Sequence, residues 1–179
     1  MKKLVLLAAI AATFAFSNVS AQKKDPAMSG QKFGIGADFA FPTGNFGDFY
    51  KLGYGGSLQF QTPIVEKLNF TASAGYLNFK AKDINTPFGT FEGGNYGSIP
   101  VKAGIRYFLA ENFYAGGELG ASFSTQSGGG TSFVYTPNIG VEFPVSDTGS
   151  IDLGVRYEAW SNDGTLRFVG LRLAYNFGL

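Results

Sequence analysis

The sequence predicts an all-β protein, an eight-stranded antiparallel up-and-down transmembrane β-barrel. Three observations lead there. Residues alternate between apolar and polar with a period of two, and this pattern recurs eight times. None of the positions on the eight apolar faces is charged, although 15% of the chain is. Charges instead fall in mid-strand on the opposite face, five basic against five acidic.

The elements follow in order along 179 residues. Residues 1–21 have the form of a secretory signal peptide. Lys2 and Lys3 precede an apolar run from Leu4 to Phe16, and Val19-Ser20-Ala21 supplies small residues for cleavage. The run is shorter than the ~18 residues a spanning helix needs. Residues 22–30 form a short polar tail, expected in the periplasm, and 31–179 the barrel.

The first strand, Lys32 to Phe41, has one face of Phe33, Ile35, Ala37, Phe39 and Phe41. The second carries Leu52, Tyr54, Leu58 and Phe60; the third Leu68, Phe70, Ala72, Ala74 and Tyr76. The fourth carries Ile99, Val101, Ala103, Ile105 and Tyr107; the fifth Phe113, Ala115, Leu119, Ala121 and Phe123. The sixth has Phe133, Tyr135, Ile139, Val141 and Phe143; the seventh Ile151, Leu153, Val155, Tyr157 and Ala159. The eighth has Val169, Leu171, Leu173, Tyr175, Phe177 and Leu179. Pro100 and Pro137 fall early in the fourth and sixth strands, where a missing N–H is tolerable.

Both faces of such a sheet must be assigned, because a soluble barrel and a membrane barrel are inside out relative to each other. The polar face holds Lys32, Lys102, Arg106, Arg156 and Arg172 against Asp38, Glu118, Glu142, Asp152 and Glu158. Such a balance is what a narrow lumen requires, since its side chains just fill it and buried charges must pair. Hairpin register sets Lys102 beside Glu118. It groups Glu142, Asp152, Arg156 and Arg172, with Asp38 in reach if the last strand closes on the first. Aromatics on the apolar face form two bands. Phe33, Phe60, Phe70, Tyr107, Phe113, Phe143 and Phe177 lie toward one rim, and Phe41, Tyr54, Tyr76, Phe123, Phe133, Tyr135 and Tyr157 toward the other. Two bilayer interfaces select two such girdles. Short turns (Pro63–Lys67, Leu109–Asn112, Pro144–Ser150) alternate with loops that are often longer (Pro42–Lys51, Lys80–Asn95, Ser124–Ser132, and the brief Ser161–Thr165). Ten tilted residues rise roughly 23 Å, close to the ~25 Å apolar band of a membrane barrel. The apolar face therefore points to lipid, with both barrel ends in the periplasm.

On these residues the chain resembles the small outer-membrane barrels of the OmpA, OmpX and OmpW type. It is most similar to the barrel-only proteins with an outer membrane protein beta-barrel domain found in Bacteroidota. Segments such as Ile99–Phe108 and the closing strand Gly170–Leu179 carry the likeness. The resemblance implies export to a Gram-negative outer membrane, assembly machinery that reads the last strand, and a plugged lumen. By this resemblance we expect a barrel without the peptidoglycan-binding domain of longer relatives. The last residue is Leu179 where the family favours an aromatic, with Phe177 in phase two positions earlier.

Composition narrows the chemistry. There is no cysteine or histidine, so disulfides, thiolates, imidazole bases and the usual zinc ligands are absent. Fourteen basic residues against thirteen acidic give no field for nucleic acid. Barrel enzymes that act on lipids generally use a histidine base, and no spacing supports a carboxylate pair such as Asp38 with Glu118. We therefore expect a non-enzymatic protein with no catalytic residues, no metal and no cofactor. The ten lumen charges read as a structural network. Gly93-Gly94 and Gly128-Gly129-Gly130 read as loop tips, since no strand–loop–helix context surrounds them. Inward glycines (Gly34, Gly36, Gly104, Gly120, Gly140, Gly154, Gly170) leave room for long cations, and Trp160 reads as a rim anchor. The second loop offers the binding candidates Lys82, Phe88, Phe91 and Glu92. Expected partners are outer-membrane lipid, lipopolysaccharide and the barrel assembly machinery, besides an extracellular ligand the sequence does not identify. The expected role is structural or surface interaction through the loops. The alternative is a narrow porin-like conduit for small or hydrophobic solutes.

Overall fold

A computed structural model describes residues 30–86, 89–91, 93–162 and 164–179. The signal peptide and nearly all of the polar tail lie outside these. In chain order the elements are β1 (Lys32–Thr43), α1 (Asn45–Phe49), β2 (Tyr50–Val65), β3 (Leu68–Ala81), β4 (Ile84–Thr86), β5 (Gly89–Phe91), β6 (Asn95–Phe108), β7 (Phe113–Ser124), β8 (Thr131–Pro144), β9 (Gly149–Ser161) and β10 (Thr165–Gly178). The eight long strands form a closed antiparallel up-and-down barrel, with β4 and β5 a separate hairpin. Closure runs from Lys32↔Gly178 to Thr43↔Arg167, so both barrel ends lie at one end, here the terminus end. The opposite, loop end carries α1 and the β4–β5 hairpin.

The prolines sit where the ladder can spare them. The β3–β6 pairing passes from Ala74↔Val101 to Leu77↔Ser98, and resumes in the same register beyond Pro100. The β8–β9 pairing likewise skips Pro137 between Tyr135↔Ala159 and Asn138↔Arg156. Pro63 lies at a register irregularity next to the strand end, the usual refuge for a residue with no N–H.

Outside the barrel, apolar side chains lie uncovered. Ile35, Leu119, Ile139 and Leu173, all in mid-strand, are 51–59% exposed, more than an aqueous sheet face tolerates over so many strands. Within the eight long strands, outward charges occur among the described residues only toward the loop end, at Lys51, Lys80 and Arg167. At the terminus end Phe33 pairs with Phe177 on one side and Phe60 on the other, forming an aromatic row.

Inside, the loop end is closed by an apolar plug of Ala40, Phe46, Leu77, Phe79, Val134, Trp160 and Phe168, with Tyr50, Tyr96 and Leu166 packed on it. Phe79 is its centre, with ring centroids 4.9 Å from Phe46, 5.3 Å from Phe168 and 5.7 Å from Trp160. Phe46 reaches it from α1, which replaces the irregular loop expected there. Trp160 is thus no rim anchor. It is 1% exposed and points inward, in phase with Glu158, because an indole N–H in lipid would lack the acceptor that the lumen supplies. Below the plug the lumen is polar, with a second apolar contact between Phe108 and Tyr114 (5.9 Å) toward the terminus end.

Truncating the plug at Phe79→Ala removes the ring that five others pack on. We expect the folded barrel to lose about 3–5 kcal/mol, read from urea unfolding in lipid vesicles.

Candidate functional site

The ten charges expected inside are all lumenal, with side chains no more than 11% exposed. Parity puts them there, and the network they form has two centres. At the first, Glu142 and Asp152 are direct cross-strand neighbours on β8 and β9. Like charges so placed repel, and cations from across the lumen offset this. Arg106 Nη1 donates to Asp152 Oδ2 (2.6 Å) and Glu142 Oε2 (3.3 Å). Lys32 Nζ donates to Glu142 Oε1 (2.7 Å), as does Ser150 Oγ (2.6 Å). Tyr114 completes the centre: its hydroxyl donates to Asp152 Oδ1 (2.9 Å), and its ring lies 3.7 Å from the Arg106 guanidinium carbon.

The second centre is Glu158. Lys102 Nζ and Arg156 Nε each donate to its Oε2 at 2.9 Å, and Trp160 Nε1 donates to Oε1 at 2.7 Å. Arg156 also donates to Asp38 through Nη1. Lys102 lies 3.4 Å from Glu118, whose Oε1 accepts from Gln59, Thr71 and Ser73 at 3.3 Å each. Every carboxylate of the ten therefore has a cation within 3.4 Å.

Register alone did not supply these pairs. Lys102 does lie beside Glu118, but its shorter contact is with Glu158. Asp38 does meet Arg156. Arg156 does not join Glu142, which is held by Lys32 and Arg106 instead, and Arg172 comes only within 3.8 Å of Asp152. Tyr114 and Gln59 were missed altogether: Tyr114 shares the parity of Glu118 on β7, while β2 carries no lumenal charge to mark the phase of Gln59. The inward glycines serve two kinds of neighbour. A Cβ at Gly170 would fall 2.9 Å from Arg156 Nε, as expected, but one at Gly154 would fall 2.9 Å from the Tyr114 hydroxyl.

No protein-family model matches the chain, and no curated protein does. Solved structures do. The barrel is similar to neisserial surface protein A (TM-score 0.63, 16% identity), with 84% of this chain covering 98% of that one. It is similar to Ail, the attachment invasion locus protein of Yersinia pestis (0.56, 19%), with 84% of this chain covering all of that one. It is also similar to outer membrane protein OprG of Pseudomonas aeruginosa (0.56, 11%), with 85% covering 98%. The fold is that of the small outer-membrane β-barrels.

In this outer-membrane barrel fold the long loops gather at one end, and here the first two are tied together. Lys82 N–H donates to the Phe49 carbonyl (2.7 Å), and Lys51 Nζ donates to Asp83 Oδ2 (2.7 Å). The hydrogen bond from Lys51, then that from the Gly93 N–H, holds the Asp83 carboxyl below the usual carboxylate range. Of the loop candidates, Lys82 is exposed. Phe91 pairs with Ile84 in the hairpin backbone; its side chain, like all of Phe88 and Glu92, lies outside the described residues. Phe49, 68% exposed on α1, is an aromatic that sequence reasoning passed over.

Glu158→Ala strands Lys102, Arg156 and the Trp160 N–H without their shared acceptor. A loss of about 3–5 kcal/mol is expected in urea unfolding. Lys51→Ala, at the solvent-exposed pair, lowers the urea midpoint only slightly at neutral pH. Because the folded Asp83 pKa is lowered, that pair's contribution is present above the ordinary carboxylate range and disappears as pH falls through the lowered value.

Proposed function

We propose that this protein is a non-enzymatic resident of the Gram-negative outer membrane, exported with a cleaved signal peptide, with a closed lumen and its activity at the loop end. The carrying observation is the combination of a charge-free outer belt with a blocked interior. A mid-strand face of uncovered isoleucine, leucine and valine needs hydrocarbon around it. The axis of the barrel is stopped by the plug around Phe79 and by cross-lumen ion pairs. Water-filled porins instead have many more strands.

What remains available for interaction is the joined surface of the first two loops, where Phe49 and Lys82 stand exposed beside the hydrogen bond that ties them. Aromatics with neighbouring cations are the usual anchors of recognition. Lys80, Lys82 and Arg167 suit the phosphates of lipopolysaccharide. The outward Tyr175 and Phe177 of β10, whose rings lie 4.7 Å apart, suit recognition by assembly machinery.

The second reading, a narrow conduit, rests on one void at mid-barrel of about 50 Å³. Planar-bilayer recording separates the two. We expect no discrete conductance steps, and steady openings would overturn the closed-lumen reading. Deleting residues 84–91 should leave insertion and heat-modifiable mobility intact while altering any surface binding; failure to insert would make the hairpin structural. The membrane placement has its own check. Leu153→Arg in mid-belt should cost about 2–4 kcal/mol of folding free energy in vesicles; a neutral effect would contradict a lipid-facing belt.

A further inference from the structure

The apolar belt does not stop at the aromatic row of the terminus end. Each of the three turns there carries exposed aliphatic side chains: Ile64 and Val65 at the end of β2, Leu109 after β6 and Val145 after β8, all 52–59% exposed. Leu109 and Val145 follow the outward Tyr107 and Phe143 by two residues and keep their phase. Val65 pairs with Leu68, which shares the phase of the outward Phe70. Two residues of a tilted strand add roughly 5 Å along the axis. The polar zone of a bilayer is about 5–7 Å thick on each side. With the aromatic row at the edge of the hydrocarbon, these aliphatic side chains lie among the headgroups.

Charge makes the case specific. Each of the same three turns holds one exposed carboxylate, Glu66, Glu111 or Asp147. None of these side chains has a hydrogen-bond or ion-pair partner among the described residues. Against them the turns set a single cation, Lys67. The loop end is built the other way, since its outward positions in the phase of Asn78 and Val169 are Lys80 and Arg167. The two rims therefore meet headgroups of different charge.

We infer that the terminus-end rim binds phospholipids whose headgroup is a primary ammonium, with the lipid body against the aliphatic side chains and the ammonium on the turn carboxylate. A primary ammonium brings three N–H donors to a carboxylate, and such charge-assisted bonds are the stronger kind. A trimethylated headgroup brings no donor, and an anionic one is repelled. The phase of Val65, Leu109 and Val145 turns them sideways toward the bilayer, so lipid fits this rim better than a protein docked on the barrel end. The inference rests on the lipid-facing belt proposed above.

The test uses the full barrel refolded in detergent and mixed with equal amounts of phosphatidylethanolamine, phosphatidylcholine and phosphatidylglycerol of identical acyl chains. In native mass spectra, phosphatidylethanolamine should be retained about two- to five-fold over the other two, the scale of an exposed charge pair. Glu66→Gln, Glu111→Gln and Asp147→Asn together should level the three lipids. Equal retention by the unaltered chain, preference for either other lipid, or a preference that survives the triple substitution would each overturn the inference. If the triple variant does not fold, the lipid comparison on the unaltered chain and a depth measurement still decide. The chain has no cysteine, so nitroxides at Leu109→Cys, Val145→Cys and mid-belt Leu153→Cys each report one site in vesicles. All three should meet dissolved oxygen more often than a water-soluble nickel chelate. Chelate-dominated collisions at Leu109 and Val145 alone would overturn the rim and leave the belt standing. The same result at Leu153 would sink the lipid-facing belt itself.

Discussion

Closure of β10 on β1 sends every second side chain of eight strands into a cylinder too narrow for bulk water, and the rest out of it. Each face then has its own demand. Inside, a polar group that loses water must find a partner in the protein. Outside, nothing in the chain covers the side chains, so only a surrounding apolar medium makes Ile35 or Leu173 comfortable. The parity of a residue thus decides its solvent, and a slip of one residue of β1 against β10 would put Asp38 and Arg172, now directly paired, on opposite faces.

That dependence explains why the lumen is ionic rather than apolar. A buried ion pair adds little net stability against a well-packed apolar pair, but breaking one is severe. Here the pairs join segments far apart in the chain: Lys32 with Glu142, Asp38 with Arg156, Lys102 with Glu158. None of these forms in an isolated hairpin. Open or misregistered barrels leave several charges unpaired at once, so the network favours the closed, correctly aligned sheet far more than its net energy suggests.

The same parity accounts for what could be read from the sequence. The eight strands, the outward belt and the inward charges all follow from a period of two. Trp160, Phe79, Phe168 and Tyr114 share the inward phase of Glu158, Ser73, Arg172 and Glu118; an amphipathic indole argued for the rim at Trp160, and phase prevails. Cross-lumen partners were not legible, because register relates only adjacent strands; which cation reaches Glu142 depends on barrel width and rotamer. Nor was α1, since a five-residue helix has too few positions to show a period.

The plug and the loop end are one mechanical unit. Phe46 and Phe49 lie three residues apart in α1, the first buried in the plug and the second exposed. The backbone bond from Lys82 to Phe49 carries the same constraint into the second loop. A surface aromatic held this way has already lost much of the freedom that a floppy loop would surrender on binding, and ordering loops is a large part of what association costs. Filling the lumen at its loop end therefore does more than block a pore: it fixes the geometry of the exposed surface above it.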